Sequence, residues 1–327
     1  MTLFLSDDDI AAVTDWPAAV KALRDAYAAQ LPAEAVPPRG MARGQGVWLR
    51  SLTAVSPDGH LGAKLIAASP KAGRVSYLVA LFDEAMELDA LIDGNRVTGI
   101  RTAATSAVAV DALAPARPLR VALLGSGHEA RAQLRALAAV RAIADVRVYS
   151  PTPANRQRFA DDAGDELGLD VTPVAAAPEA TGDADVVACA ARSRDESPVL
   201  RGEWLSPGTT VVSIGSTLPE QREVDVSVLR RADLIVADVP GEVAHDTGDM
   251  IAAAAAGVGV AGRLVSLSDL IAGRIPDWRG VGAAGVAVYK SVGSALQDVV
   301  VAGQLLATAR QRGLGTPLPD TIKPVLK

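Results

Sequence analysis

The chain has 327 residues, 49% of them hydrophobic, with 29 glycines and 20 prolines, which is enough for two globular domains with full cores and excludes a disordered chain. A net charge of −6 with no basic cluster argues against a nucleic-acid surface. No run of about 18 uninterrupted apolar residues offers a membrane span, and "MTLFLSDDDI" is acidic where a signal peptide would be basic and then apolar. The expectation is a soluble, cytoplasmic protein with no nucleic-acid or membrane partner. Aromatic residues make up only 3%, and alanine and valine supply most of the apolar side chains, favouring a helix-rich α/β protein over an antiparallel sandwich. The lone Cys189, inside "DVVACAA", reads as a small core residue. His60, His128 and His245 have no metal-ligand spacing, so no metal is expected.

Along the chain, Asp15-Trp-Pro-Ala opens an amphipathic helix, "WPAAVKALRDAYAAQL", with Pro17 suited to a first turn. Strands are predicted at "GVWLRSLTAVS" (46–56), "GAKLIAAS" (62–69), "SYLVALFD" (76–83) and "ELDALIDG" (87–94), then a helix from Thr98 to Leu113. The Pro- and Arg-containing "ALAPARPLR" (112–120) reads as a linker into a second domain. From there short β-branched runs recur at 120–125, 145–150, 185–191, 209–215 and 233–238, and helical stretches such as "HEARAQLRALAAVRAI" (128–143) separate the first three. That alternation implies a parallel sheet with right-handed crossovers. A last helix is predicted over 288–313, packing back on the first domain and making it discontinuous. The fold class expected is α/β, a Rossmann-type doubly wound parallel sheet over 117–289. A discontinuous α+β domain, 1–116 plus 290–327, completes the chain.

"VALLGSGHEA" places Gly125-x-Gly127-x-x-Ala130 directly after a strand and before a helix. A tight turn at Gly125, close backbone approach to a pyrophosphate at Gly127 and a small residue at Ala130 fit a dinucleotide. Ser126, His128 and Glu129 belong to the same turn. NAD sites carry an acid about 20 residues further on for the ribose 2′-OH. Here the segment reads "YSPTPANRQR", with Ser150, Thr152 and Arg156 and no acid before Asp161, which favours NADP(H) over NAD(H). The reversal of strand order should open a crevice at the carboxyl ends of the first and fourth of these strands, at Gly125 and Gly215. Gly215, Ser216 and Thr217 then face the nicotinamide half of the cofactor.

Three stretches together resemble the ornithine cyclodeaminase/mu-crystallin family: "LIDGNRVTGIRTAATSAVA" (91–109), "VALLGSGHEARAQLRAL" (121–137) and "VVSIGSTLPEQREVD" (211–225). "VPPR" (36–39), "LGAKLI" (61–66) and "VYKSVGSALQD" (288–298) support it, so nearly the whole chain is covered. The resemblance implies a homodimer whose discontinuous domain supplies the dimer interface and the substrate pocket. It implies hydride transfer between a nicotinamide and the α-carbon of an amino or imino acid. Carried over residue by residue, Arg39, Lys64 and Arg101 would hold the substrate carboxylate, and Lys64 would exchange the proton. The residue types suit those roles: guanidinium groups grip carboxylates in a bidentate fashion, and a desolvated lysine among arginines has its pKa lowered.

Cyclodeaminating members carry an aspartate where this chain has Thr217. A threonine cannot take a proton at neutral pH or attract an ammonium group as a carboxylate does. The ketimine reductase members are the closer resemblance there, and the reading is NAD(P)H-dependent reduction of a small cyclic imino acid, with Lys64 and Thr217 at the reacting centre. An amino-acid or N-substituted amino-acid dehydrogenase, ornithine cyclodeaminase with Glu220 reaching inward, and a non-catalytic NADPH-dependent binder remain as alternatives. The segment 67–78 is shorter than the corresponding family loop, and His245 and Asp246 read as a solvated loop.

Overall fold

The computed structural model describes residues 1–193, 195–275, 285–319 and 322–325. Parts of the expected domains, Arg194, 276–284, 320, 321, 326 and 327, lie outside the described residues. The chain divides into two units, Met1–Thr102 with Ser294–Lys327, and Ala103–Gly293.

The first unit opens with β1 (Leu3–Leu5), α1 (Asp7–Val13) and α2 (Trp16–Ala28). Ser6 and Asp9 form a reciprocal capping box on α1, and Asp15 caps α2 by accepting from the Ala18 amide at 2.9 Å. The antiparallel strands β2 (Gly40–Gly44), β3 (Val47–Val55), β4 (Leu61–Ser69), β5 (Arg74–Phe82) and β6 (Leu88–Asp93) follow. β1 joins β6 in parallel, and β15 (Thr316–Pro317) closes the edge. Among the described residues this is a seven-stranded sheet, ordered β15-β1-β6-β5-β4-β3-β2. Leu52, Lys64, Val79 and Ile92 stand in register across β3 to β6 and share one face. That face is covered by the long late helix α11 (Ala295–Arg312), which also packs on α2. The opposite face of β3 leaves Val47, Leu49 and Val55 in solvent.

Helix α3 (Gly94–Leu113) starts in the first unit and, from Ala103, counts with the second. The second unit alternates strands and helices: β7 (Leu119–Leu124), α4 (His128–Ala138), β8 (Ile143–Tyr149), α5 (Pro153–Leu167), β9 (Val171–Pro173), α6 (Ala177–Thr181), β10 (Val186–Cys189) and β11 (Thr210–Ser213). Then come α7 (Val226–Arg231), β12 (Ala232–Ala237), α8 (Pro240–Asp246), α9 (Gly248–Ala255), β13 (Leu264–Ser266), α10 (Leu267–Ile271) and β14 (Val286–Lys290). Among the described residues these strands form one eight-stranded sheet, ordered β13-β12-β14-β11-β10-β7-β8-β9, with every pair parallel.

Two expectations need correction. The chain at 286–290 is a strand inserted between β11 and β12, and the final helix starts only at Ala295; Gly293 at φ 79 marks the break. A helical spacing of apolar residues had extended into what is a fully buried parallel strand, where both faces are apolar. The order of the sheet also reverses between β7 and β10, so the strand beside β7 ends at Cys189, and β11 lies one place further along. The short β9, three residues ending in proline, carries too little pattern to be read from sequence, yet it takes the third position at the far edge.

Candidate active site

In the first unit, Lys64 points from the middle of β4 into the face beneath α11, and its side chain is 1% exposed. Its ammonium donates to Asp298 Oδ1 at 2.9 Å and to Thr98 Oγ1 at 2.6 Å, and lies 5.3 Å from the centre of the Tyr77 ring. Thr98 sits in the first turns of α3 and Asp298 in the first turn of α11, so two helices deliver the partners of one strand residue. An isolated buried ammonium costs several kcal/mol, and the carboxylate offsets that cost. Burial pushes Lys64 down to about 8; Asp298 opposes this, while the charges of Arg101 and Arg39 add to it.

Arg101, on the same face of α3 as Thr98, reaches the same carboxylate, with Nε 3.3 Å from Asp298 Oδ1. Its Nη1 donates to Gln297 Oε1 at 2.8 Å, and Gln297 Nε2 donates to the Tyr27 hydroxyl at 2.8 Å. Arg39, half-buried at the end of the loop before β2, is near enough for its charge to lower the pKa of Lys64. The structure therefore brings Lys64 and Arg101 onto one buried carboxylate, with Arg39 near enough for its charge to act on Lys64. Sequence reasoning missed Asp298, although a signal was present. An acid next to "VVV" on an apolar helix needs a buried cation to hold it there.

In the second unit the turn after β7 carries the glycine fingerprint. Gly125 adopts φ 127, and a Cβ there would lie 2.8 Å from the Ala190 carbonyl oxygen, so both conformation and close approach require glycine. Gly127 is the N-cap of α4, and a Cβ there would meet nothing within 4 Å. Among the described residues its smallness serves no contact. Ala130 is fully buried, His128 is exposed, and Glu129 keeps its Oε2 buried without a hydrogen-bond partner. At the end of β8, Ser126 Oγ donates to Ser150 Oγ at 2.9 Å and Arg156 Nη1 donates to the Ser150 carbonyl at 2.9 Å. Thr152 is exposed at the N-cap of α5 and makes no side-chain cap bond. Hydroxyls and one guanidinium thus occupy the position where an acid would bind an unmodified ribose.

The turn after β11 stands at the same carboxyl edge. Ser216 is fully buried, and its hydroxyl donates to the Gln221 carbonyl at 2.7 Å. Thr217, half-buried, donates from its amide at 2.9 Å and its hydroxyl at 3.2 Å to Gln221 Oε1. Of this turn's candidates, only Thr217 keeps a partly open side chain, tied to its own loop. Glu220 is exposed, and His245 and Asp246 are exposed at the end of α8, a helix rather than a loop.

The geometry can be set beside known proteins. The family model for "Ornithine cyclodeaminase/mu-crystallin family" matches residues 62–312. An iminosuccinate reductase from Paracoccus denitrificans (strain Pd 1222) is 32% identical over 237 residues, covering 72% of this chain and 71% of that protein. The ketimine reductase mu-crystallin of Mus musculus is 30% identical over 225 residues, covering 68% and 66%. Among solved structures, Thermococcus litoralis Δ1-pyrroline-2-carboxylate reductase in complex with NADH and L-proline aligns with a TM-score of 0.84 at 26% identity, over 97% of this chain and 100% of that one. An archaeal alanine dehydrogenase dimer with bound NAD aligns at 0.83 and 26%, over 98% and 99%. With the glycine turn after β7, the buried lysine of β4 and the arginine of α3 all falling inside the matched region, the chain belongs to the ornithine cyclodeaminase/mu-crystallin family.

Proposed function

We propose that this protein is an NAD(P)H-dependent oxidoreductase that reduces the C=N bond of a small cyclic imino acid, of the Δ1-pyrroline- or Δ1-piperideine-2-carboxylate type, to the amino acid. The observation that carries the reading is Lys64, buried among Arg39, Arg101 and Asp298 with a pKa of about 8. Two of its three ammonium protons are committed to Asp298 and Thr98, which leaves one for a substrate. The arginines grip the substrate carboxylate, as planar guanidinium groups do. NAD(P)H supplies the hydride to the imine carbon, and Lys64 gives its proton to the imine nitrogen. Charge near the reacting carbon is thus matched by fixed cations that need no reorganisation.

Thr217 supports reduction over cyclodeamination, because residue 217 itself carries no carboxylate to assist loss of ammonia. The four relatives and structures above carry names of imine reductases or an amino-acid dehydrogenase, which agrees with hydride chemistry at an α-carbon. Oxidation of NADPH and NADH is followed with each cyclic imine. Turnover of either imine is the expected result. No turnover with both, alongside proline release from ornithine, overturns the reading; turnover of alanine alone would instead make the protein an amino-acid dehydrogenase.

NADP(H) is the preferred cofactor in this reading. Arg156 stands beside the Ser150 carbonyl, and no acid occurs between Ser150 and Arg156 to repel a 2′-phosphate. A charge-assisted contact is worth about 1.5–3 kcal/mol, so Arg156→Ala should cost roughly 10- to 100-fold in kcat/KM with NADPH and little with NADH. An equal effect on both cofactors would remove Arg156 from that role. A homodimer fits the first unit. Val47 and Leu49 are 50% and 45% exposed, and with Trp48 and Arg74 they line a cavity of about 510 Å³. A second copy is the occupant proposed, and a monomer by light scattering would refute it.

A further inference from the structure

The layer of side chains on one face of the eight-stranded sheet is aliphatic until its carboxyl edge. Val211, Val288 and Ile235 are fully buried there in one apolar cluster. One step on in register, Cys189, Ser213 and Lys290 stand side by side on β10, β11 and β14. Lys290 is wholly buried, and its ammonium makes three contacts: Asp249 Oδ2 at 3.0 Å, Ser213 Oγ at 2.9 Å and the Ser216 carbonyl at 3.2 Å. Glu223, also wholly buried, accepts on Oε2 from Ser213 Oγ at 2.6 Å and from the Gly215 amide at 2.9 Å. Asp249 Oδ1 accepts from the Glu223 amide at 2.9 Å, and the Asp249 amide donates to Ser216 Oγ at 3.4 Å. Lys290 and Glu223 therefore end on the turn 215–217 through their side chains, and Asp249 reaches it through its backbone amide.

That turn is also pressed against α9. The Gly248 amide donates to the Leu218 carbonyl at 3.1 Å, and a Cβ at Gly248 would collide with the carbonyl oxygens of Pro219 and Gln221. Buried ions are expensive, and aliphatic residues would fill this layer at lower cost. Nothing in the sheet itself needs them.

We propose that Lys290, Asp249 and Glu223 are positioning residues for the turn that bears Thr217, and that the proton on Glu223 sets how firmly the turn is held. The groups facing Glu223 are Lys290 from β14, Asp249 from α9, Ser213 from β11 and Cys189 from β10; Arg222, beside it, has its Nε 3.3 Å from Asp249 Oδ1. Burial drives Glu223 up to about 7, with Lys290, Ser213 and the Gly215 amide pulling the other way. Its Oε1 has no hydrogen-bond partner and is the atom that takes the proton. Ionised, Glu223 holds the Gly215 amide by a charge-assisted bond; protonated, it holds it more weakly. The consequence for turnover rests on the proposed reductase activity, whereas the hold on the turn does not.

The test is amide hydrogen exchange of the 215–221 peptide between pH 6 and 8.5 (about pH 7 at its centre), corrected for intrinsic exchange. Protection should rise severalfold as the pH climbs through about 7 in the unmodified protein. Glu223→Gln, which keeps the shape, should abolish that rise and lower kcat for imine reduction with little change in substrate KM. Ser213→Ala, should Glu223→Gln not fold, should move the rise to higher pH. A rise that persists in Glu223→Gln, or stays in place in Ser213→Ala, overturns the proposal. A pH-dependent turn in a protein that reduces no imine leaves the proposal standing and rejects the reductase reading instead.

Discussion

Asp298→Asn isolates the charge that keeps Lys64 protonated. The amide keeps the shape: its oxygen replaces Oδ1 against Lys64 and Arg101, and its nitrogen replaces Oδ2, which has no hydrogen-bond partner. What disappears is the negative charge, which acts to raise Lys64, while burial, Arg101 and Arg39 all continue to lower it. An opposite charge at this range moves a pKa by about 1–3 units, so a fall of ~2 units from about 8 takes Lys64 to ~6. At pH 7 the protonated fraction then drops from about nine-tenths to about one-tenth, since one pKa unit is about 1.36 kcal/mol. Reduction consumes the proton, so the rate falls as pH rises through the pKa. The expected profile is a limb near pH 8 in the unmodified protein and ~2 units lower in Asp298→Asn, with about tenfold slower imine reduction at pH 7. Steady-state assays with saturating NADPH across pH 5 to 10 (roughly the range of use) read this directly. If the limb stays near 8 and the rate at pH 7 is unchanged, Lys64 is not the proton donor, or Asp298 does not set its charge.

Other substitutions test the two units separately. Lys64→Ala should abolish turnover, a loss of at least about 10²-fold for a general acid, while NADPH binding measured by fluorescence titration stays within a factor of about two. Gly127→Val meets open space and should leave the melting temperature nearly unchanged, yet weaken NADPH binding at least about tenfold; tight binding would place the pyrophosphate elsewhere.

Much of this arrangement is written into local sequence pattern. Strands β3 to β6 could be placed because their apolar residues run between clear turns, and β7 to α4 because the glycine turn joins a strand to a helix. Arg39, Lys64 and Arg101 come from the family resemblance, and the fold brings Lys64 and Arg101 onto Asp298 with the Arg39 charge nearby. The rest depends on residues far apart in the chain. Asp298 meets Lys64 across a separation of 234 residues, and no local periodicity carries such a pairing. The sequence around Lys290 resembles a helix because a doubly buried strand and a buried helix share an apolar signature. The three-residue β9 hid the true neighbour of β7, shifting the position assigned to β11 by one. Ser216 shows a further limit: its hydroxyl reads as a ligand group in sequence but folds inward onto Gln221.

The pairing of Lys64 with Asp298 also bears on how the protein is made. A ribosome adding about 5–20 residues per second needs roughly 12–47 s to travel the 234 residues between them. Throughout that interval the β3–β5 hairpins exist without α11, the helix that covers them and carries the only carboxylate within bonding distance of Lys64 among the described residues. The first unit therefore cannot finish folding in the order in which it is synthesised. Ala103–Gly293 is synthesised in full before Ser294–Lys327, so residues 1–102 wait for the helix that covers their sheet while the whole second unit is made.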